Sequence, residues 1–399
     1  MEYRALGGWR PAAAVLFFHA AWISAFLASG HDPIEFAHLG HQFVTRANTS
    51  QVISARAHDP HVTELVGNDG QFAYYMAADP VHARDYVDDP SYRLGRFLYP
   101  LLARITALGN PGWVPVTLIL VNLLAVAGAT LVVGGWLARR GVNSWFAVVF
   151  GLFPGAILCL RFDLGDPVAY ALVAVAVCLF DFGPSPRWLW AAAAFACAAL
   201  SRETAVLFAL GYLVAMIALP PLDGHRRWRQ AVGLLAIATG PLLLVKAALT
   251  GWTGHLGQGP GLELPFLAIL SPQVANCSRD CGIGNPAHIW AEALLVLLPA
   301  LIICALAAIH VARYGWSAPV LNLFGNVLLF YVFVNREAFL GLTISFRFTL
   351  SVALAALFCI PALRQLGPRA HSAARIAAAV WMASAPVLLL RSMEIISGL

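Results

Sequence analysis

The sequence predicts an all-α, polytopic integral membrane protein with about eleven membrane-spanning helices and a long helical loop between the first and second. Apolar residues make up 60% of the chain and charged residues only 11%, whereas about a quarter of the residues in a soluble protein are charged. The apolar residues fall in long runs, and most arginines lie in short segments between these runs. The 399 residues are long enough to form a single membrane domain over 1–399.

The apolar runs give the predicted spans in chain order. They cover residues 11–28, 113–138, 145–160, 168–180, 188–200, 205–219, 231–249, 289–311, 319–334, 342–360 and 374–390. Several runs are shorter than a full span, and flanking residues or helix tilt must complete them. The first run follows Arg4 and Arg10 as the apolar part of a signal peptide would, but its length and the many later runs favour an uncleaved helix.

The arginines of the short loops predict the orientation. With the N-terminus in the cytoplasm, every basic cluster in a short loop falls on the cytoplasmic side and the C-terminus lies outside. These clusters contain Arg139, Arg140, Arg187, Arg226, Arg227, Arg229, Arg313, Arg364, Arg369 and Arg375. Lys246 is the only lysine among 25 basic residues, which indicates a GC-rich coding sequence and hence a bacterial inner (plasma) membrane. The net charge of +5 therefore reflects topology and does not indicate nucleic-acid binding.

Two segments face the non-cytoplasmic side in this orientation. Residues 29–112 form the long first loop, with helical pieces expected near 34–43, 70–78 and 95–108. Residues 250–287 form the second loop, which contains Cys277 and Cys281. We expect a small disulfide there rather than two free thiols, because this side of the membrane is oxidising. A zinc site would need two more ligands, and none is evident.

Charged residues beside spanning helices are costly and indicate function. Asp69 comes directly before an aromatic segment of the first loop, and it is the candidate catalytic carboxylate. The alternative is that Asp69 only caps the following helix, with Gln71 completing a capping box. Arg93 and Arg96 lie three residues apart beside tyrosines, a pattern that suits a lipid phosphate or, alternatively, simple anchoring to headgroups.

Further polar groups interrupt the later runs. Asp163 and Asp166 are spaced to share a helix face, although Asp166 followed by proline also suits a helix cap. Arg202 stands in the turn after the fifth run, next to Glu203, with which it could simply pair. Arg347 lies about two turns inside an apolar run, so it needs a partner or an anionic ligand.

A histidine-rich stretch at the start of the first loop raises the question of a metal site. Its possible ligands are His31, Asp32, Glu35, His38 and His41. Glu35, His38 and His41 could face one way on a helix, but their spacing matches no specific metal motif. We expect an interfacial polar helix and no cofactor, and the sequence leaves a divalent metal open without indicating one.

The order of these motifs resembles the C-type (GT-C) membrane glycosyltransferase superfamily, and within it the PIG-V-type mannosyltransferases and their bacterial relatives. The resemblance covers about residues 1–210 and rests on Asp69, on Tyr99-Pro100-Leu101, on Phe153-Pro154-Gly155 leading to Asp166, and on Ser201-Arg202. Asn68 stands where the family usually has an aromatic residue, and Asp166 where glutamate is common. These departures leave the exact subfamily and the sugar open, more than they affect the assignment to the superfamily.

The resemblance implies an inverting glycosyltransferase that works on the non-cytoplasmic face. The donor would be a polyprenyl-phosphate sugar, with mannose as one candidate, and the acceptor a lipid-linked or cell-envelope glycan. Asp69 would be the general base, and Arg347, Arg96, Arg202 and Arg93 would bind the donor phosphate. The alternatives are a transporter or flippase for lipid-linked sugars, which also needs buried arginines, and a non-catalytic assembly subunit. Transporters usually show repeats and broken helices at the membrane midplane, whereas the charges here cluster at one face.

Overall fold

The computed structural model describes residues 7–46, 50–181, 187–219, 226–257, 290–333, 336–339 and 342–392. Within these ranges the chain is helical, and β structure is limited to one isolated bridge between Gly40 and Glu64. The prediction of an all-α protein is confirmed for this part of the chain.

Six described helices are long and apolar enough to cross a membrane. They are Trp9–Ala28, Pro111–Arg139, Trp228–Thr253, Glu292–Tyr314, Leu342–Arg364 and Pro368–Leu390. The pair Ser144–Gly151 and Pro154–Arg161, bent by 45°, makes a seventh if it is counted as one span. These lengths are those of a helical membrane protein, but they do not confirm the predicted number of about eleven spans.

Three helices in the middle of the chain are shorter than a full membrane span. Asp166–Asp181 has 16 residues, Arg187–Ser201 has 15 and Val206–Ala218 has 13. At 1.5 Å per residue they reach about 20–24 Å, whereas the hydrocarbon core of a bilayer is about 30 Å thick. The first of them begins, and the second ends, beside the charged residues described below.

We label the helices used below in chain order. They are α1 (Trp9–Ala28), α2 (Gly70–Ala78), α3 (Leu98–Thr106), α4 (Val114–Arg139), α5 (Pro154–Arg161), α6 (Asp166–Asp181), α7 (Arg187–Ser201), α8 (Val206–Ala218), α9 (Arg226–Thr253), α10 (Leu298–Tyr314), α11 (Ala318–Val327), α12 (Leu342–Arg364), α13 (Pro368–Ala383) and α14 (Ala385–Ser392). Helix α12 is the central one, because 78% of its apolar window is buried. It packs against α5, α10, α11 and α13, while α4 packs against α1 and α6.

Basic short segments lie at one end of this bundle. At one end Arg140 donates to Asp181 at 2.8 Å, and Arg364 donates to the carbonyl of Gly141. Helices α4, α6 and α12 all finish at this end. The same α6 and α12 begin at the opposite end, where the first loop lies. The basic segments 139–141 and 364 are therefore separated from the first loop by the length of these helices.

The first loop has a folded structure with its own apolar core. Its buried residues include Phe43, Phe72, Tyr75 and Tyr86, which pack with Val114 and Leu118 of α4. Two of the three expected helical pieces are present as α2 and α3, and the first consists of two short turns, Pro33–Phe36 and His41–Val44. The other short helical segments of the described residues are Gln51–Ser54, Ala55–His58, Ala83–Tyr86, Pro90–Arg93, Leu94–Arg96, Pro111–Trp113, Ser144–Ala147, Val148–Gly151, Glu203–Ala205, Glu292–Leu297, Leu328–Phe333 and Arg336–Phe339.

Candidate functional site

Asp69 lies immediately before α2, at the position from which a side chain would cap that helix. Its side chain makes no such hydrogen bond. The carboxylate instead contacts the guanidinium of Arg347 at 2.8 Å and that of Arg93 at 3.0 Å. Capping therefore does not account for Asp69, whereas it does account for Asp32 and Asp89, whose side chains accept backbone N–H groups of the following helical turns.

The turn that carries Asp69 is fixed from several sides. The side chain of Gln71 accepts from the N–H of Gly40 at 3.0 Å and donates to the carbonyl of Val66 at 2.9 Å. Gly70 packs against the carbonyl of Phe162, to which an added Cβ would approach within 2.1 Å. Only glycine permits this close approach, so Gly70 brings the first loop directly onto the turn between α5 and α6.

Arg93 connects Asp69 to a second carboxylate. Its Nε and Nη2 atoms donate to the two oxygens of Asp88, each at 2.8 Å, and its Nη1 reaches Asp69. The guanidinium carbon also lies 4.3 Å from the centroid of the Phe72 ring. Because Asp88 and Phe72 contact the guanidinium of Arg93 on two sides, its remaining nitrogen, Nη1, points to Asp69 in a defined orientation.

Arg347 connects Asp69 to the start of α6. Its Nε lies 3.6 Å from Asp166, and Asp166 also contacts Arg202 at 2.5 Å. The side chains of Asp166 and Arg202 are almost fully buried, 2% and 4% exposed. Gly155 of α5 lets the backbone of α12 approach closely beside Arg347, since an added Cβ would lie 2.1 Å from the carbonyl of the preceding residue.

The result is a row of alternating charges that joins four parts of the chain. It runs from Arg93 through Asp69, Arg347 and Asp166 to Arg202. Such a row stabilises each buried charge through its neighbours, and removal of Asp166 would leave Arg202 at its end without a carboxylate. Sequence reasoning found all five residues but not their pairing.

Arg96 lies beside this row and belongs to a second set of contacts. It donates to Glu203 at 2.7 Å and to the hydroxyl of Tyr92, and Lys246 of α9 contacts the same Glu203 at 3.2 Å. Arg202 and Glu203 therefore pair with other residues and not with each other, contrary to the simpler interpretation of their adjacency. Sequence reasoning missed Lys246, for which the signal was a lone lysine inside an apolar run.

These side chains line one cleft, which we call the charged cleft. It is a small cleft that opens to solvent. Its lining consists of Asp69, Phe72, Ala73, Met76, Arg93, Arg96, Tyr99, Pro100, Asp163, Leu164, Gly165, Asp166, Ser201, Arg202 and Arg347. Four arginines against three aspartates leave the lining with an excess of positive charge, which favours an anionic ligand.

Asp69 is the most exposed carboxylate in the cleft. Burial alone would raise the pKa of Asp69, but the positive charges of Arg347 and Arg93 override that effect and hold the pKa well below its usual range. Its side chain is 30% exposed, so a ligand in the cleft can reach it. Asp69 is therefore ionised and accessible, the state that a proton acceptor requires.

Asp163 differs from the expectation that it shares a helix face with Asp166. It lies in the turn before α6 with φ of 46°, so its side chain leaves the chain in another direction. Its nearest partner is the hydroxyl of Tyr99, 3.4 Å from Oδ1. Burial raises the pKa of Asp163 well above its usual range, against the opposing effects of Arg161 and Tyr99.

An apolar groove adjoins the charged cleft and shares Met76 and Pro100 with it. The rest of the apolar groove is formed by Pro80, Ala83, Leu94, Phe97, Leu101 and Arg104. Arg104 donates to the carbonyls of Ala77 and Ala78 at the end of α2, so it completes that helix and does not face the cleft as a binding arginine.

The histidine-rich stretch does not form the shared face considered for a metal site. His38 has φ of 49°, which ends any regular helix there, and its ring pairs with Glu64. Glu35 accepts hydrogen bonds from both His31 and His61. Among the residues that the structure describes, no group of three or more histidine, cysteine or acidic side chains is arranged to hold a metal ion.

Cys277 and Cys281 lie outside the described residues, so their disulfide stays a prediction. No known family model, curated protein or solved structure shows a significant similarity to the chain. The case for a function therefore rests on the charged cleft and on the motifs of the sequence.

Proposed function

We propose that the protein is a membrane glycosyltransferase that transfers a sugar, with mannose as one candidate, from a polyprenyl-phosphate donor to a lipid-linked or cell-envelope acceptor. The observation that carries this proposal is the pairing of Asp69 with Arg347 and Arg93 at the mouth of a cleft with excess positive charge. A base and a set of phosphate ligands lie within one hydrogen bond of each other, as a displacement at a phosphate-bearing carbon requires.

The arginines provide the phosphate site in this proposal. Arg347 and Arg93 each present guanidinium nitrogens to the cleft, with Arg96 and Arg202 beside them. A guanidinium matches two oxygens of a phosphate at once, and this interaction strengthens as negative charge develops on the leaving group. The same arginines are held in place by Asp88, Asp166 and Glu203, so little reorganisation is needed when the donor binds.

Asp69 acts as the general base. The acceptor hydroxyl oxygen forms a bond to the anomeric carbon, while the bond from that carbon to the phosphate oxygen breaks and its electron pair leaves with the phosphate. The proton of the hydroxyl passes to Asp69. Binding of the phosphate draws Arg347 and Arg93 towards the ligand, which weakens their hold on Asp69 and raises its basicity at the moment it is needed.

The apolar groove supports a lipid-linked donor. It begins where the charged cleft ends, at Met76 and Pro100, so a ligand with a charged head and an apolar chain fits both at once. Burial of each CH₂ of such a chain contributes about 0.8 kcal/mol. A soluble nucleotide sugar would leave the groove empty.

The orientation is part of the proposal. The charged cleft and the basic segments lie at opposite ends of the bundle, and the positive-inside rule assigns the basic end to the cytoplasm. The reaction would then occur on the outer face of a bacterial inner membrane, with the N-terminus inside and the C-terminus outside.

A transporter of lipid-linked sugars is the second candidate, because it too needs arginines for the phosphate. The charges of the described residues favour the enzyme, since the row from Arg93 to Arg202 lies at one end of the bundle and not at its middle. A non-catalytic subunit would have no use for a base beside a phosphate site.

The experiment that tests the proposal is sugar transfer by the purified protein in detergent micelles. A labelled polyprenyl-phosphate mannose and a lipid extract of the source membrane are supplied together, and new glycolipids are separated and counted. An enzyme forms a labelled glycolipid in micelles, where no membrane has to be crossed. A transporter or an assembly subunit forms none. If no labelled glycolipid forms with any of the polyprenyl-phosphate sugars supplied, the proposal is rejected.

A further inference from the structure

The turn between α5 and α6 holds a carboxyl group whose surroundings differ from those of every other acid in the charged cleft. Asp69 and Asp166 each contact arginines, whereas Asp163 makes no ion pair. Its side chain is fully buried, and Oδ2 has no hydrogen-bond partner within the protein. Folded proteins rarely leave a buried polar atom without a partner, so the retention of this one at a cleft wall indicates a ligand.

The backbone around Asp163 is rigidly held. The carbonyl of Leu164 accepts from the side chain of Asn122 at 3.1 Å, and the carbonyl of Gly165 accepts from the hydroxyl of Ser201 at 2.9 Å. The N–H of Leu164 also donates to the carbonyl of Cys159 at 2.9 Å. These contacts fix Asp163 in the left-handed region, which a non-glycine residue adopts at some cost and often at a functional site.

The groups that face Asp163 favour a neutral acid. Tyr99 of α3 offers a hydroxyl that already accepts from Asn122 at 2.8 Å and lies 3.1 Å from the carbonyl of Leu118, to which it donates. Its single proton therefore has a competing acceptor at shorter range than Asp163. The other titratable or charged groups around Asp163 are Cys159 and Arg161 of α5, Asp166 of α6, Arg202 beyond α7, Arg347 of α12, and Asp69, Arg93 and Arg96 across the cleft.

Arg161, the nearest of these cations in sequence, is directed elsewhere. It donates to the carbonyl of Glu35 at 2.8 Å and lies over the rings of Phe26 and Phe36. An ionised Asp163 would therefore be a buried charge without an ion pair, the arrangement that folded proteins avoid.

We propose that Asp163 is kept as a neutral carboxylic acid and binds a hydroxyl group of the transferred sugar. A carboxylic acid can donate through its O–H and accept through its carbonyl oxygen, which matches a hydroxyl group that both donates and accepts. A phosphate only accepts hydrogen bonds, and the arginines of the cleft already supply donors for it. Asp163 is then a specificity-determining residue on the sugar side of the cleft, which rests on the proposed sugar transfer.

Two substitutions, Asp163→Asn and Asp163→Ala, distinguish hydrogen bonding to the sugar from binding of the phosphate. Asparagine has the same shape, tolerates the left-handed backbone and keeps both a donor and an acceptor, so its KM for the sugar donor should stay within about threefold of wild type. Alanine removes both groups, and its KM for the sugar donor should rise about tenfold, the effect of one hydrogen bond of about 1.4 kcal/mol. Inhibition by polyprenyl phosphate without a sugar should be equal in all three proteins.

Infrared spectroscopy tests the protonation of Asp163 without relying on activity. The difference spectrum between wild type and Asp163→Asn at neutral pH should contain the C=O stretch of a carboxylic acid, which shifts in D₂O. The matched control is Asp88→Asn, which removes an arginine-paired carboxylate and should give a carboxylate band instead.

Three outcomes overturn the inference. A carboxylate band for Asp163 would show that it is ionised, and loss of transfer in Asp163→Asn would show that its charge is needed. Equal weakening of sugar-bearing and sugar-free lipid phosphates by Asp163→Ala would assign Asp163 to the phosphate. If Asp163→Ala fails to fold, the infrared spectrum and the transfer activity of Asp163→Asn still test the inference. Absence of transfer by wild type, with an acid band present, would reject the proposed function instead.

Discussion

The guanidinium of Arg347 lies 2.8 Å from the carboxylate of Asp69, although 278 residues separate them in the chain. Arg347 belongs to the central helix α12, and Asp69 to a loop at the opposite end of the sequence. This contact ties the first loop to the interior of the bundle. It also means that the candidate base and the candidate phosphate ligand hold each other until a substrate arrives.

Asp69→Asn should abolish transfer while donor binding persists. The amide cannot accept the proton, and a general base typically contributes about 10²–10⁴ in rate. Donor affinity should be unchanged or tighter, because a negative charge has been removed from an anion site. Arg347 and Arg93 keep Asp166 and Asp88 as partners, so the free energy of unfolding should change by no more than about 1 kcal/mol. Transfer and donor binding are measured on the same purified protein.

The matched control is Asp59→Asn, which removes a carboxylate that pairs with Arg56 in the same loop but outside the lining of the charged cleft. It should retain most of the transfer activity. If Asp69→Asn keeps more than about a tenth of wild-type transfer, Asp69 is not the general base.

Arg347→Lys should weaken donor binding as well as transfer. A lysine ammonium is a point charge and cannot reproduce the planar two-point contact of a guanidinium with a phosphate. We expect the Kd for the lipid phosphate to rise about tenfold, equivalent to about 1.4 kcal/mol. The control is Arg140→Lys, at the basic end of the bundle, where Arg140 also contacts an aspartate. Equal effects of the two substitutions would contradict a specific role for Arg347.

The buried pair of Asp166 and Arg202 should dominate the stability of the cleft. Asp166→Asn leaves Arg202 buried without its carboxylate, which should lower the free energy of unfolding by about 3–5 kcal/mol. Asp166→Leu combined with Arg202→Met should recover most of that loss but not donor binding. The contrast is Asp59→Asn, which affects the more exposed Arg56 and should cost about 1 kcal/mol or less. Thermal unfolding in detergent measures all of these, and additive losses for Asp166 and Arg202 would argue against a coupled pair.

The stability of wild type should fall with rising pH relative to Asp163→Asn. Because the pKa of Asp163 is raised in the folded state, that state binds more protons than the unfolded one above about pH 4. The free energy of unfolding then falls by up to about 1.4 kcal/mol per pH unit until the raised pKa is passed. Asparagine has no proton to lose, so the two proteins should be similar near pH 4 and diverge above it. Parallel melting curves across this range would contradict a raised pKa.

Reporter fusions test the orientation. A fusion after Arg140 and one after Arg369 should report the cytoplasm, and a fusion near His61 should report the opposite side. The structure makes this a strong test, because Arg140 and the first loop lie at opposite ends of α4. A cytoplasmic signal near His61 would place the charged cleft inside the cell and remove the outer-face reaction from the proposal.

The sequence by itself determined the helical membrane architecture and the residues of the cleft. Periodicity and composition suffice to predict the helical architecture, since helices satisfy their own backbone hydrogen bonds within a membrane. Asp69, Arg347 and Arg202 stand out because charges beside apolar runs are costly and rarely occur without a role. The continuity of the helices was less well predicted, since the single run 145–160 is bent by 45° between Ser144–Gly151 and Pro154–Arg161.

Only the tertiary structure decided the pairing of these charges. Asp69 pairs with Arg347 and Arg93 instead of capping its helix, and Arg202 pairs with Asp166 instead of the adjacent Glu203. The left-handed backbone at Asp163 likewise separates it from Asp166. The physical reason is that a charge interacts with whatever lies within a few ångströms, and these distances arise from close contacts such as that of Gly70 with the carbonyl of Phe162, which no spacing along the chain reveals.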